Sequence, residues 1–286
     1  MSDRPQQVKI VTDSAADIPA NLAAELDITV VPLLVHMGDK SYLDGVDISG
    51  EAFYRELEAT RSVTTTSLPS LESFEREYRR LTSEGYEVVS VHLSSKLSGT
   101  FNAALIACTG DGIPAEAISV VDTHTLSMGQ GWVAIRAAQA AREGRTREEI
   151  EAIAEEMVGR TRVYGALDTL EYVIRSGRVG RLPGTVGNLL NIKPIITIQA
   201  TGEANILERV RTRKKALERL VGLVKELGPL DGLAVMHGAN EEGAAQLLAM
   251  LEPLGLPSPI VGHIGAVLGT HVGPGAVGVC CLTRNG

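Results

Sequence analysis

Val88-Val89-Ser90-Val91-His92-Leu93 runs directly into Ser94-Ser95-Lys96-Leu97-Ser98-Gly99-Thr100. A short valine-rich run reads as a buried strand. Phe101 to Ala107 continue beyond the hydroxyls as a helix, with Ser98 standing where an N-cap would. A second hydroxyl-rich stretch, Thr64-Thr65-Thr66-Ser67-Leu68-Pro69-Ser70, precedes Leu71, Phe74, Tyr78 and Leu81, which recur at helical spacing and share one face. In both places the free N–H groups of a first helical turn and the positive end of its dipole point where the hydroxyls do. That arrangement suits a phosphate or a carboxylate.

The same strand-turn-helix unit extends outward in both directions. Val8 to Val11 reads as a strand closed by Asp13 and Ser14, and Pro19 to Leu26 as a helix. Ile28 to Val35 is a further apolar run, after which Asp47 and Ser49 introduce a helix carrying Phe53, Tyr54 and Leu57. Ile118 to Val121 give another strand and Leu126 to Arg142 a long Ala-rich helix. Strands alternating with helices imply a parallel sheet covered on both faces. Beyond a charged helix from Arg147 to Val158 the pattern changes, because Pro194 to Gln199 and Ala204 to Arg211 flank Thr201-Gly202-Glu203 as a hairpin. A helix at Thr212 to Leu227, a strand at Leu233 to His237, a helix at Glu241 to Leu254, and strands at Ile260 to Ile264 and Ala276 to Leu282 follow. The chain therefore reads as a two-domain α/β protein. An N-terminal domain, residues 1–160, has a parallel sheet with helices on both faces, and a C-terminal α/β domain, residues 161–286, has a mixed sheet.

Composition narrows the function. The 286 residues are 44% apolar, enough for a substantial core, yet only 3% aromatic, so small aliphatic side chains fill the interior and stacking surfaces for bases are scarce. A net charge of −8 argues against nucleic acid as a partner. Cys108, Cys280 and Cys281 lack the spacing of a disulfide frame or a cysteine zinc site and fit buried thiols in a reducing compartment. No apolar stretch reaches the roughly 18 residues that span a bilayer. A soluble, cytoplasmic protein is expected.

In an open parallel sheet, ligands bind outside the carboxyl ends of the strands, where Asp13-Ser14, Thr66-Ser67, Ser98-Gly99 and Asp122-Thr123 should all emerge. The loops contain neither a Gly-x-Ser-x-Gly elbow nor a Walker A motif, which favours binding over catalysis. The histidines at 36, 92, 124, 237, 263 and 271 lack the i, i+4 spacing of a helical zinc pair, so no metal is expected. His271 stands out within the glycine-rich stretch Gly265 to Gly275, read as a loop able to approach a ligand closely. Two arginine clusters also stand out: Arg175, Arg178 and Arg181, and Arg209, Arg211 and Arg213. Arg211 and Arg213 are read as sharing one face of a strand-like stretch, open to an anionic partner.

Taken together, Val-Thr-Asp-Ser at 11 to 14, Thr-Ser-x-Pro-Ser at 66 to 70 and Leu-Ser-Ser-Lys-Leu-Ser-Gly-Thr at 93 to 100 resemble the DegV family. Val-Val-Asp-Thr at 120 to 123, Leu-Asp-Thr-Leu-Glu-Tyr at 167 to 172, Ser-Gly-Arg at 176 to 178, Asn-Ile-Lys-Pro at 191 to 194, Arg-Thr-Arg-Lys-Lys at 211 to 215 and Gly-Thr-His-Val-Gly-Pro-Gly at 269 to 275 extend the likeness over nearly the whole chain. The resemblance implies a non-catalytic carrier that binds one long-chain fatty acid in a tunnel between its domains and needs no cofactor. By motif match, Thr66 and Ser98 would bind the carboxylate, Gly99 would offer its N–H, and His271 would add a donor from the other domain. A separate fatty-acid kinase would be the partner, converting the presented carboxylate to acyl-phosphate for phospholipid synthesis. Arg178 and Arg211 would belong to the docking surface, and transient membrane contact would serve lipid exchange. Leu68 stands where the family more often has a polar residue. The rival reading from the residues alone is a phosphoryl- or acyl-transfer enzyme acting on a small anionic metabolite through His271 or His124. A sugar-phosphate sensor using Lys96 is a third.

Overall fold

A computed structural model describes residues 7–179 and 192–284. Its elements in chain order are β1 (Val8–Asp13), α1 (Ala20–Glu25), β2 (Ile28–Val31), β3 (Leu34–Met37), β4 (Lys40–Leu43), α2 (Gly50–Thr60), β5 (Thr64–Ser67), α3 (Leu71–Ser83), β6 (Glu87–His92), α4 (Thr100–Ala107), β7 (Ile118–Asp122), α5 (Met128–Arg142) and α6 (Arg147–Arg160). They continue with β8 (Thr161–Ala166), α7 (Glu171–Ser176), β9 (Lys193–Ile198), β10 (Ala204–Val210), α8 (Arg213–Glu226), β11 (Leu230–His237), α9 (Glu241–Leu251), β12 (Ile260–His263), α10 (Ala266–Val272) and β13 (Val277–Thr283). Among the described residues no helix is long and apolar enough to cross a membrane.

The first sheet, ordered β2-β1-β6-β7, is parallel throughout. Its valines and isoleucines alternate between two apolar layers, as the period of a strand requires. Val11 and Val88 pack with Phe74, Tyr78, Ala103 and Ala104 of α3 and α4. Ile10, Val89 and Val91 pack with Trp132, Val133, Ala137 and Ile150 of α5 and α6 on the other face. The second sheet, ordered β10-β9-β8-β13-β11-β12, is antiparallel except for the β11–β12 pair, and the hairpin read around Thr201-Gly202-Glu203 is its β9–β10 edge.

Helix α5 joins the two sheets. Its alanines favour helix and leave room for close packing on every side, and it touches β1 and β6 of one sheet and β8 and β13 of the other. Glycine at 131 allows the close approach, since a Cβ there would lie 3.0 Å from the Ala16 carbonyl oxygen and 2.8 Å from Met128 Sδ. The Gln130 amide donates to Thr12 Oγ1 at 3.0 Å, and the Trp132 indole donates to the Cys280 carbonyl at 3.0 Å, so one helix is tied to both sheets.

A third sheet, β4-β3-β5, is antiparallel and corrects two expectations. The apolar run Ile28 to Val35 is not one strand: Pro32 cannot donate to a ladder, and the chain leaves the parallel sheet there and turns into β3. Thr64 to Ser67 is not a loop at the carboxyl end of a parallel strand either. These residues suit a pleated surface and pair with β3, Thr66 opposite Val35 and Ser67 opposite Leu34.

Candidate functional site

The glycine-rich stretch around His271 is helical rather than a loop, forming α10 between Gly265 and Gly273. Gly273 ends it at φ +75, where a Cβ would also meet the Tyr172 ring at 2.2 Å, so glycine is required twice over. Two acidic side chains hold the other end. Asp17 Oδ1 accepts from Gly265 N at 2.8 Å, and Asp44 Oδ1 accepts from Ala266 N at 3.0 Å. Burial pushes the Asp17 carboxyl up to about 8 and the Asp44 carboxyl up to about 6, although hydrogen bonds from Ser127 and Ser14 respectively pull the other way. Helix α10 packs on α2, α7, β3 and β5, so its position fixes His271 against the small sheet.

There the His271 Nε2 lies 3.0 Å from Thr66 Oγ1 on β5. The other ring nitrogen, Nδ1, is buried without a hydrogen-bond partner. Burial, helped by the Arg178 charge, pushes the imidazole down to about 4, so it is neutral at pH 7. Ser98 caps the approach from the first sheet: its Oγ accepts from Thr100 N at 3.3 Å and pairs with the Thr100 hydroxyl at 2.9 Å. The N-cap position of α4 is thus Gly99, not Ser98. Gly99 is exposed, and among the described residues its N–H has no acceptor. Leu68 Cδ2 would lie 3.3 Å from a Cβ at Gly99, so the apolar residue at 68 packs over this loop.

Behind these polar groups lies an apolar cavity of about 110 Å³, open in part to solvent. Its wall draws on the second sheet, on the loops that follow strands of the first, and on α10, including Leu93, Leu167, Ile196, Ile198, Val267 and Leu268, while Ser98, Arg178 and His271 stand on its border. The cavity contains almost no polar surface deeper in, so whatever fills it is held there by apolar contact.

The residues singled out from the sequence therefore fall into three groups. Ser98 and His271 border the cavity, with Thr66 bonded to His271 and Gly99 adjoining Ser98. Arg178 is exposed but also borders the cavity, its guanidinium donating to the Ser176 carbonyl at 2.7 Å. Arg211 is exposed beyond the end of β10, and it does not share a strand face with Arg213, which opens α8 and pairs with Asp168 at 3.0 Å. The strand ends at Val210 because Thr212 caps the following helix through Lys215 N. Arg181 and Asn191 lie outside the described residues.

One constellation was missed. Ser90 Oγ lies 2.7 Å from His92 Nε2, and His92 Nδ1 lies 2.9 Å from Asp13 Oδ2, the connectivity of a hydrolase triad. All three side chains have zero exposure, and the Ser90 hydroxyl accepts from Tyr78 at 2.8 Å, so no substrate reaches it. Its work is positional: Asp13 Oδ2 also accepts from Leu93 N at 3.1 Å, fixing the start of the loop that carries Ser98.

The site is thus an apolar cavity with a polar border at one end, set in an α/β fold. The family model described as "Uncharacterised protein, DegV family" matches residues 7–284, and the chain belongs to the DegV family. A DegV domain-containing protein of Streptomyces coelicolor is 38% identical over 285 residues, covering 98% of this chain and 99% of the relative. Among solved structures, a fatty-acid-binding DegV family protein from Thermus thermophilus superposes with a TM-score of 0.87 at 31% identity, covering 98% of this chain and all of that one. DegV of Bacillus subtilis, a fatty acid binding protein, has a TM-score of 0.85 at 31% identity, with 98% of this chain covered and 100% of that chain.

Proposed function

We propose that this protein is a carrier that holds one long-chain fatty acid, with the acyl chain in the apolar cavity and the carboxylate at its polar border. The observation that carries the reading is the pairing of an apolar cavity with a buried, unpartnered His271 Nδ1 on its rim, since a buried polar atom without a partner is costly and an anionic oxygen would relieve it. Ser98 and the Gly99 N–H supply the remaining donors, while Thr66, whose single hydroxyl proton goes to His271 Nε2, fixes the tautomer that turns Nδ1–H toward the carboxylate. Fatty-acid binding by the Thermus and Bacillus relatives supports the same assignment. In this reading residues 1–160 form the domain that binds the carboxylate, and residues 161–286 the domain that closes the tunnel.

The carrier is not itself a catalyst. Ser98 pairs with a second hydroxyl rather than a base, and His271 pairs with Thr66 and has no carboxylate to orient it, which leaves neither group activated for attack. The carboxylate is presented to a separate fatty-acid kinase in the cytoplasm, which docks over the exposed Arg178 and Arg211, and transient membrane contact exchanges the lipid. Mass spectrometry of an organic extract of the natively purified protein tests the binding reading. Close to one fatty acid per chain is expected, and an extract with no fatty acid, or with a phosphorylated metabolite instead, would overturn it.

A further inference from the structure

The carboxyl ends of β11 and β12 lie side by side as parallel neighbours, with His237 in register with His263. In-register residues of parallel strands face the same side of a sheet, and the two imidazole rings stand 4.5 Å apart. Glu241 opens α9 just beyond His237 and brings its carboxylate to the same place. One donor atom from each of the three lies within 4.8 Å of the others. None of the three borders the apolar cavity.

We propose that His237, Glu241 and His263 bind one borderline divalent transition-metal ion of the zinc, cobalt or nickel class, with further coordination positions open to water. Two imidazoles and one carboxylate suit such ions, whereas magnesium and calcium require oxygen-rich sets. Bonds of about 2.0 to 2.1 Å set donors roughly 3.3 Å apart in a tetrahedron. The site must therefore contract by up to about 1.5 Å from its 4.8 Å spread, and the exposed His263 and Glu241 are free to do so. The present bond from Asn240 N to His237 Nδ1 is long, 3.4 Å, so little is lost if that ring turns toward an ion. A search for helical i, i+4 pairs passes over this site because a sheet, not a helix, brings the histidines together.

The test uses the untagged full chain, stripped by chelator and dialysed, titrated with Co²⁺ by visible absorption and with Zn²⁺ by calorimetry. One ion per chain at micromolar affinity or tighter is expected, with His263→Ala and Glu241→Gln each weakening it at least tenfold. Circular dichroism and the fatty-acid content of both variants should match the parent, because both side chains are exposed and remote from the cavity wall. Binding no tighter than millimolar, or binding that survives His263→Ala unchanged, would overturn the assignment.

Discussion

The wall of the cavity and its border are built on different principles. The wall is assembled from Leu167 after β8, Ile196 and Ile198 of β9, and Val267 and Leu268 of α10, side chains with nothing to specify except shape and apolarity. The border consists of a few polar atoms held in place by other polar atoms: Thr66 on His271, Thr100 on Ser98, and Asp17 and Asp44 on the helix that carries His271. A wall of this kind contributes affinity in proportion to the methylenes it covers, about 0.8 kcal/mol each. A polar border contributes a fixed amount and decides which end of the ligand faces out.

The largest effect should follow from putting a charge into the wall. Ile196→Asp leaves an unpaired carboxylate where the acyl chain would lie, and desolvating it costs several kcal/mol. Fatty acid should no longer co-purify, with affinity reduced more than a hundredfold, while thermal unfolding still shows a single folded transition. Retention of the ligand by this variant would mean that the acyl chain lies elsewhere.

Chain length separates wall from border. Removing two methylenes from the ligand should weaken binding by about 1.6 kcal/mol, roughly fifteenfold, through the wall alone. Ser98→Ala should weaken it by about tenfold, the worth of one hydrogen bond to a charged group, and by the same factor for every chain length. Titration of dodecanoate, tetradecanoate and hexadecanoate against both proteins checks this. A Ser98→Ala penalty that grows with chain length would place Ser98 in the wall and the carboxylate somewhere else.

The wall and the border were also unequally legible in the sequence. Periodicity was enough for the parallel sheet, the β9–β10 hairpin and α5, because each rests on local apolar spacing. It was not enough for the small sheet, since Pro32 breaks a continuous apolar run and a string of threonines fits a loop as well as a strand. Helix α10 was hidden by its glycines, which weaken any helical reading and are present because the Tyr54 and Tyr172 rings press against positions 269 and 273. Ser98, Thr66 and His271 were marked from hydroxyl-rich loops and family motifs. The contact between Thr66 and His271 spans 205 residues of chain and no local pattern encodes it. The Ser90–His92–Asp13 network was invisible for the same reason: Asp13 reaches it from β1, far in sequence from its partners on β6, and it serves the scaffold.

The smallest effect is expected from pH acting on the ligand-free protein, and it contrasts the two ends of α10. Asp17 and Asp44, raised to about 8 and about 6, bind protons more tightly folded than unfolded, so they stabilise the fold as pH falls from about 8 toward their ordinary 3.8. His271 acts in the opposite sense. Its ordinary value is 6.5 and burial lowers it to about 4, so between these values the unfolded chain takes up a proton that the folded one refuses. Its contribution is present above 6.5 and is lost as pH falls toward 4. His271→Gln removes that loss and leaves the carboxylates in place. Relative to the parent, the variant should therefore gain of order 1 kcal/mol between pH 6.5 and 4, a figure discounted for the part of the ring that reaches solvent. Urea unfolding of both proteins at pH 7 and pH 4.5 measures the difference. Parallel pH profiles would show that the imidazole is protonated as readily in the fold as outside it, and the neutral, unpartnered Nδ1 on which the carboxylate assignment rests would fall with it.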